Sequence, residues 1–306
     1  MLGSPVAHSL SPALHRAAYA QLGLAGWSYQ AIECDEAGLP GRLAGCGPRW
    51  AGLSLTMPLK RAVLPLLDRT DPVAAATGGA NTVVFSGGAR HGFNTDVAGL
   101  LTALAEAGLD RAPQRALILG GGATACSALA ALAKLGLPEA TVAVRDPARA
   151  AGLLAAASRL RVSVELCPFG KETGAELLIS TVPAGAADLY AERLRGLDRP
   201  PRIIMDVVYH PWPTRLATAA SQAGSAAVSG FELLLHQAAR QVELMTGQSA
   251  PVQAMRDAGL AELARRTRGS ARAGQPAPGK AAPGPACGSG NTTAGTNGVG
   301  TLGWRE

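Results

Sequence analysis

Aromatic residues are scarce in this chain, with four Trp, four Tyr and four Phe among 306 residues. Leu, Val, Ile and Ala must therefore fill the interior, and with 47% of residues hydrophobic there are enough of them for a sizeable core. Cysteine offers no framework. Cys34, Cys46, Cys126, Cys167 and Cys287 are odd in number, scattered and never spaced Cys-x-x-Cys, which argues against a disulfide scaffold and against zinc. Free thiols in a reducing cytosol are expected instead, and with them a cytoplasmic protein without a metal. No run of about 18 apolar residues is free of charges and turns, so no transmembrane helix and no membrane partner are predicted. The N-terminus lacks the charged-then-apolar pattern of a signal peptide. Acidic residues are nearly missing from one end: Arg265, Arg266, Arg268, Arg272, Lys280 and Arg305 face only Glu306. These account for almost all of the formal charge of +6, and the near-neutral remainder argues against a nucleic-acid partner.

What is present is an alternation of strand and helix patterns, long enough for two domains. Only the last residues of an opening apolar strand precede Gly3, so that strand is either trimmed or very short. Ser11-Pro12 reads as a helix start with Ser11 as cap, followed by helical spacing over 13–22. Strands are expected over 28–34, 52–56 and 80–85, a short helix over 58–67 and a hairpin turn at Gly87-Gly88. A helix over 97–107 ends at Gly108. After Pro113 the pattern becomes strand 116–119, helix 124–135, strand 140–144, helix 147–158 and strands 162–164, 177–181 and 203–208, which implies a parallel, doubly wound sheet. Helices over 230–245 and 251–265 close the body. From Thr267 the Gly, Ala, Pro, Ser and Thr composition predicts a disordered tail.

Gly120-x-Gly122-x-x-Ala125 follows a strand and opens a helix, the context in which a glycine turn cradles a dinucleotide pyrophosphate. The end of the next strand selects the cofactor. There, Val144-Arg145-Asp146-Pro147-Ala148-Arg149 places two arginines, expected one helical turn apart, to clamp a 2′-phosphate, while Asp146 is expected to cap the following helix. Lys60, Asn81 and Asp96 lie in three short polar segments ahead of this turn. A lysine, an amide and a carboxylate beside a nucleotide suit an alcohol/ketone oxidoreductase acting on a small polyhydroxylated substrate. Ser9 and Ser11 supply two hydroxyls at a helix start, where a carboxylate can bind.

Six motifs in order carry a resemblance to a known family. Gly3-Ser4-Pro5 with His8-Ser9-Leu10-Ser11-Pro12 and His15 resembles the opening signature of the shikimate dehydrogenase family. Ser54-Leu55-Thr56-Met57-Pro58-Leu59-Lys60 is similar to its Asn-Val-Thr-x-Pro-x-Lys segment, with Ser54 in place of Asn. Gly79-Ala80-Asn81-Thr82 and Gly92-Phe93-Asn94-Thr95-Asp96 match the next two. Asp206 with Tyr209, Pro211 and Thr214 matches the fifth, and Gly230 with Leu233, Leu234 and Gln237 the last, with Leu233 in place of Met.

The resemblance implies an α/β fold of two domains. Residues 1–97, completed by helices within 231–266, would form a substrate domain, and 98–230 a Rossmann-like NADP-binding domain, with 267–306 as tail. It implies NADPH-dependent reduction of 3-dehydroshikimate to shikimate in chorismate and aromatic amino-acid biosynthesis. Lys60 and Asp96 would be the catalytic pair. Ser9 and Ser11 would hold the substrate carboxylate with Tyr209 nearby, and Thr56, Asn81, Asp96 and Gln237 would bond the ring hydroxyls beside Lys60. Gly120, Gly121, Gly122, Ala123, Thr124, Arg145, Arg149, Val207 and Gly230 would line the cofactor. Whether Lys60 donates the proton or stabilises developing charge is left open, as is a homodimer. Two other readings stand beside this one: an NAD-dependent quinate/shikimate dehydrogenase, which an acidic residue at Val144 would favour, and a non-catalytic ligand-binding regulator, which loss of Lys60 or Asp96 would favour.

Overall fold

The computed structural model describes residues 1–171 and 174–273, with 269–273 by backbone alone. The chain opens with β1 (Leu2–Gly3), α1 (Ser11–Gln21), β2 (Ile32–Glu33), α2 (Leu39–Ala44), β3 (Gly52–Ser54), α3 (Leu59–Ala62), β4 (Arg69–Thr70), α4 (Pro72–Thr77), β5 (Thr82–Ser86) and β6 (Ala89–Phe93). A four-stranded sheet runs β3-β5-β6-β4, with β5 antiparallel to both β3 and β6. β1 and β2 form a parallel pair, and Leu2 also bridges to Leu55 just beyond β3. Since β1 offers only Leu2 and Gly3 for pairing, the strand expected over 28–34 shrinks to two residues. The helix expected over 58–67 divides into α3 and a 3-10 turn at Leu64–Leu66, because Pro65 has no N–H to continue the ladder. The hairpin turn falls at Gly87-Gly88 as expected.

α5 (Asp96–Glu106) leads into a second sheet built from β7 (Ala116–Leu119), α6 (Ala123–Lys134), β8 (Glu139–Val144), α7 (Ala151–Leu160), β9 (Ser163–Pro168), β10 (Leu177–Ser180), α8 (Asp188–Leu194), β11 (Ile203–Asp206), α9 (Arg215–Gln222) and β12 (Ala226–Ser229). All six strands are parallel, in the order β9-β8-β7-β10-β11-β12. That is the doubly wound order, with the direction of winding reversing between β7 and β10, where a crevice opens for ligands. Its central strands are buried on both faces because helices cover both: along β7, Ala116 and Ile118 join one core layer, and Leu117 and Leu119 the other.

α10 (Gly230–Thr246) and α11 (Val252–Ala273) complete the fold. α10 packs along α5 and α1, setting Phe231 and Leu235 beside Leu14. Arg256 on α11 donates to Glu106 on α5 and Glu232 on α10, and His236 Nε2 lies 3.1 Å from Glu106 Oε2. Among the described residues, Glu106, Glu232 and His236 are near enough together to hold a metal ion, but the Arg256 guanidinium already stands against both carboxylates. Residues Met1–Arg266 make one compact unit. α11 passes its expected end at 265, with pairs from Glu262 to Arg265 and Arg266 along its surface there. Residues 267–273, expected as the start of a disordered tail, instead continue α11; beyond Ala273 the expected tail lies outside the described residues, as does Cys287. Cys34, Cys46, Cys126 and Cys167 are unpaired. No helix among the described residues is long and apolar enough to cross a membrane.

Candidate active site

Antiparallel pairing brings the polar segments together. β5 runs opposite to β3 and β6, so Asn81, just before β5, sits at the same sheet end as the segments leaving β3 and β6. Lys60 follows β3 on α3, and Asp96 follows β6 as the first residue of α5. Lys60 Nζ lies 2.5 Å from Asp96 Oδ2, with the two side chains 17% and 7% exposed. Asn81 Nδ2 donates to Asp96 Oδ1 at 2.8 Å, to Thr95 Oγ1 at 2.9 Å and to Gln237 Oε1 at 3.2 Å. Its own carbonyl oxygen accepts from Thr95 N and from Thr82 Oγ1, which fixes the orientation of the amide. The carboxylate is therefore steered, with Oδ1 committed to the amide and Oδ2 to the lysine. Asn94 braces the turn from behind: its oxygen accepts from Asp96 N, and its Nδ2 reaches Thr77, Gly79 and Ser127.

These groups open onto a cleft of about 270 Å³. All eight residues expected at the substrate line it: Ser9, Ser11, Thr56, Lys60, Asn81, Asp96, Tyr209 and Gln237. Of the residues expected at the cofactor, Thr124, Val207 and Gly230 line it too, whereas Gly120, Gly121, Gly122, Ala123, Arg145 and Arg149 lie outside its wall. Ser11 is not the cap of α1. The cap position is Leu10, and the Ser11 N–H instead donates to Ser9 Oγ at 3.2 Å, so it is Ser9 that satisfies a free backbone donor at the helix start.

The glycine turn leaves β7 at Gly120, whose φ of +101° suits glycine; a Cβ there would lie 2.9 Å from Thr181 Oγ1 on the neighbouring strand's exit. Gly122, at the start of α6, is different. Its backbone is extended, and a Cβ would meet no atom within 4 Å. Packing does not demand glycine at 122, which stands at the cap position of a 12-residue helix with free N–H groups in its first turn. That fits a bound phosphate. Arg145 and Arg149 are exposed beyond β8, and neither guanidinium makes a hydrogen bond or ion pair among the described residues. They are not one α-helical turn apart, because residues Pro147–Ala150 form a 3-10 turn. Asp146 caps that turn, accepting from Ala148 N at 3.0 Å, as expected. At Gly230 a Cβ would fall 1.9 Å from Val207 O, so only glycine lets α10 start this close to the β11 exit.

Sequence reasoning missed a buried chain behind the cleft. Tyr29 Oη donates to Ser54 Oγ at 2.7 Å, Ser54 Oγ to Gln241 Oε1 at 2.9 Å, and Gln241 Nε2 to Thr82 Oγ1 at 3.0 Å. Ser54 and Gln241 both line the cleft. One signal was available: Gln237 and Gln241 are four apart and so share a face of α10. His15 stacks on Tyr29 with ring centroids 3.9 Å apart, and Ser11 O accepts from its Nδ1 at 2.9 Å. Burial pushes its pKa down to about 3, so the ring is neutral, with Nε2 unpartnered. Burial likewise raises Tyr209, whose hydroxyl donates to His8 O at 3.3 Å.

A doubly wound sheet with a glycine turn over its central strand, joined to a lysine–carboxylate pair in a small polar cleft, defines an α/β oxidoreductase of the nucleotide-dependent class. More narrowly, the chain belongs to the shikimate dehydrogenase family. Residues 1–83 match the family described as shikimate dehydrogenase substrate binding domain, and 230–258 the shikimate 5′-dehydrogenase C-terminal domain. The shikimate dehydrogenase (NADP(+)) of Moorella thermoacetica is 38% identical over 265 residues, 83% of this chain and 90% of that protein. The crystal structure of Mycobacterium tuberculosis shikimate dehydrogenase is 43% identical, with a TM-score of 0.76 over 85% of this chain and 97% of that one. That of Thermus thermophilus shikimate 5-dehydrogenase, in complex with NADP(H) and shikimate, is 35% identical, with a TM-score of 0.74 over 85% and 97%.

Proposed function

We propose that this chain is a cytoplasmic, NADP-dependent shikimate dehydrogenase, interconverting 3-dehydroshikimate and shikimate in the route to chorismate and the aromatic amino acids. One observation carries the reading: Lys60, Asp96, Asn81 and Gln237 converge on a single cleft that Thr124, Val207 and Gly230 also line. In this reading residues 1–97, with helices from 231–266, serve the substrate, and 98–230 serve the nucleotide. The match of residues 1–83 to a substrate binding domain supports that division.

Ser9 and Ser11 hold the substrate carboxylate, with Tyr209 beside them. Thr56, Asn81, Asp96 and Gln237 bond the ring hydroxyls. An ammonium has three donors; Asp96 takes one from Lys60, which leaves two for the substrate oxygen. In the reducing direction Lys60 stabilises charge gathering on that oxygen and supplies its proton; in the oxidising direction it receives the proton. Asp96, held by Asn81, keeps the ammonium aimed. Gly120, Gly121, Gly122, Ala123 and Thr124 would hold the NADP pyrophosphate, and Arg145 and Arg149 the 2′-phosphate. When bound, NADP supplies or takes up the reducing equivalent. Asp146 turns one carboxylate oxygen to the cap, while the exposed Arg145 and Arg149 guanidinium groups on either side of it have no partner among the described residues, which supports NADP over NAD.

Lys60→Ala should lower the turnover of shikimate with NADP by roughly 10²–10⁴-fold, the range for removing a general acid–base group, while changing shikimate affinity far less. Turnover near that of the wild type would remove Lys60 from the chemistry.

A further inference from the structure

Two arginines on the last helix pair with Glu262, and they are not alike. Arg265 is 71% exposed and touches only that carboxylate, an ordinary surface ion pair. Arg266 is 24% exposed and turns inward. Its Nε donates to Glu262 Oε1 at 2.7 Å, its Nη1 to His8 O at 2.6 Å and its Nη2 to Ser9 O at 3.0 Å. The fork thus grips two consecutive carbonyls in the segment that carries Ser9 and leads into Ser11. Tyr209 donates to the first of these carbonyls as well. The reach is set by close packing: a Cβ on Gly259 would lie 2.7 Å from Leu14 and 2.6 Å from Phe231, so α11 sits tightly on α1 and α10. Arg266 lies seven residues further on, two turns along the same face.

We infer that Arg266 is a positioning residue for the Ser9–Ser11 segment, acting through the backbone to hold the hydroxyls that bind the substrate carboxylate. This rests on the proposed reading of Ser9 and Ser11. In a trans peptide the N–H points opposite to the C=O, so fixing the Ser9 carbonyl also fixes the direction of the Leu10 N–H at the start of α1. Glu262 orients the guanidinium, and a planar fork can hold two acceptors where an ammonium meets them as a point charge.

The test compares wild type, Arg266→Ala, Arg266→Lys, Ser9→Ala and the Arg266→Ala/Ser9→Ala double variant, with thermal melts alongside kinetics. Arg266→Ala should raise the KM for shikimate about tenfold while leaving the KM for NADP and kcat within about twofold. Arg266→Lys should recover only part of the loss. The double variant should lose much less than the product of the two single losses, because both act through one segment. An unchanged shikimate KM, an equal rise in the NADP KM, or independent losses in the cycle would overturn the inference. Hydrogen exchange of the peptide spanning residues 6–11 gives an answer even if wild type fails to turn over shikimate, an outcome that would sink the functional reading alone. Arg266→Ala should speed exchange there and not in α10; unchanged exchange would refute the clamp.

Discussion

Gly122→Ala separates what the fold needs from what a ligand needs. At Gly122 φ is −81° and ψ −171°, a conformation open to any residue, and the new methyl would meet no atom within 4 Å. Replacing glycine by alanine at such a site gains about 0.4–1 kcal/mol by restricting the unfolded chain. Alanine is a poorer cap than glycine by a comparable amount, so the two effects nearly cancel. Thermal stability should therefore hardly move. The same substitution at Gly120 meets a φ of +101°, with Thr181 Oγ1 at 2.9 Å and Val182 Cγ1 at 3.1 Å, and should clearly destabilise. For a bound cofactor the balance at 122 reverses. The methyl occupies the space before α6 and displaces the pyrophosphate from one charge-assisted hydrogen bond or more, each worth about 1.5–3 kcal/mol. That corresponds to roughly 10–150-fold in Kd. Titration of NADP by calorimetry, with melting curves of all three proteins, measures both sides. Unchanged NADP affinity in a normally folded Gly122→Ala protein would refute the assignment of this turn to the cofactor.

Arg145→Ala should weaken NADP binding by about 2 kcal/mol, the scale of hydrogen bonds to a charged group, and barely affect NAD; equal losses for both cofactors would exclude a 2′-phosphate contact. His15 gives a pH dependence whose sign follows from its burial. Its pKa falls from 6.5 to about 3 on folding, so between those values the unfolded chain holds a proton that the folded chain does not. This contribution is complete above pH 6.5 and is lost as pH falls, by at most about 1.4 kcal/mol per pH unit. Urea unfolding at several pH values should show that slope in wild type and a flatter one in His15→Phe, which keeps a ring against Tyr29; identical slopes would count against the buried neutral ring.

The second sheet was readable because local and tertiary demands agree there. Ala116–Leu119 is apolar on both faces, a glycine turn follows, and helix 124–135 was expected within a residue of the observed Ala123–Lys134. Four helices went unread: Leu39–Ala44, Pro72–Thr77, Asp188–Leu194 and Arg215–Gln222. Helices this short are marginal alone and exist through packing, as where Leu216 and Ala220 bury against the sheet. In the cleft, the polar segments pointed to Lys60, Asn81 and Asp96, and the family resemblance added Gln237. The Tyr29–Ser54–Gln241 chain was harder to see: Tyr29 and Gln241 stand in none of the matched motifs, and Ser54 and Gln241 are 187 residues apart and meet only in the folded chain. Ser11 misled because the helix starts one residue earlier: with Leu10 at the cap position, the Ala13 and Leu14 N–H groups that a Ser11 cap would take donate to Leu10 O instead.

The central claim is a pairing of substrate and cofactor, and a four-way assay tests it directly: shikimate and quinate, each with NADP and with NAD, followed by nicotinamide reduction. Shikimate with NADP should give the highest kcat/KM, with the NAD and quinate combinations well below it. Preference for NAD, preference for quinate, or no turnover in any combination would contradict the account.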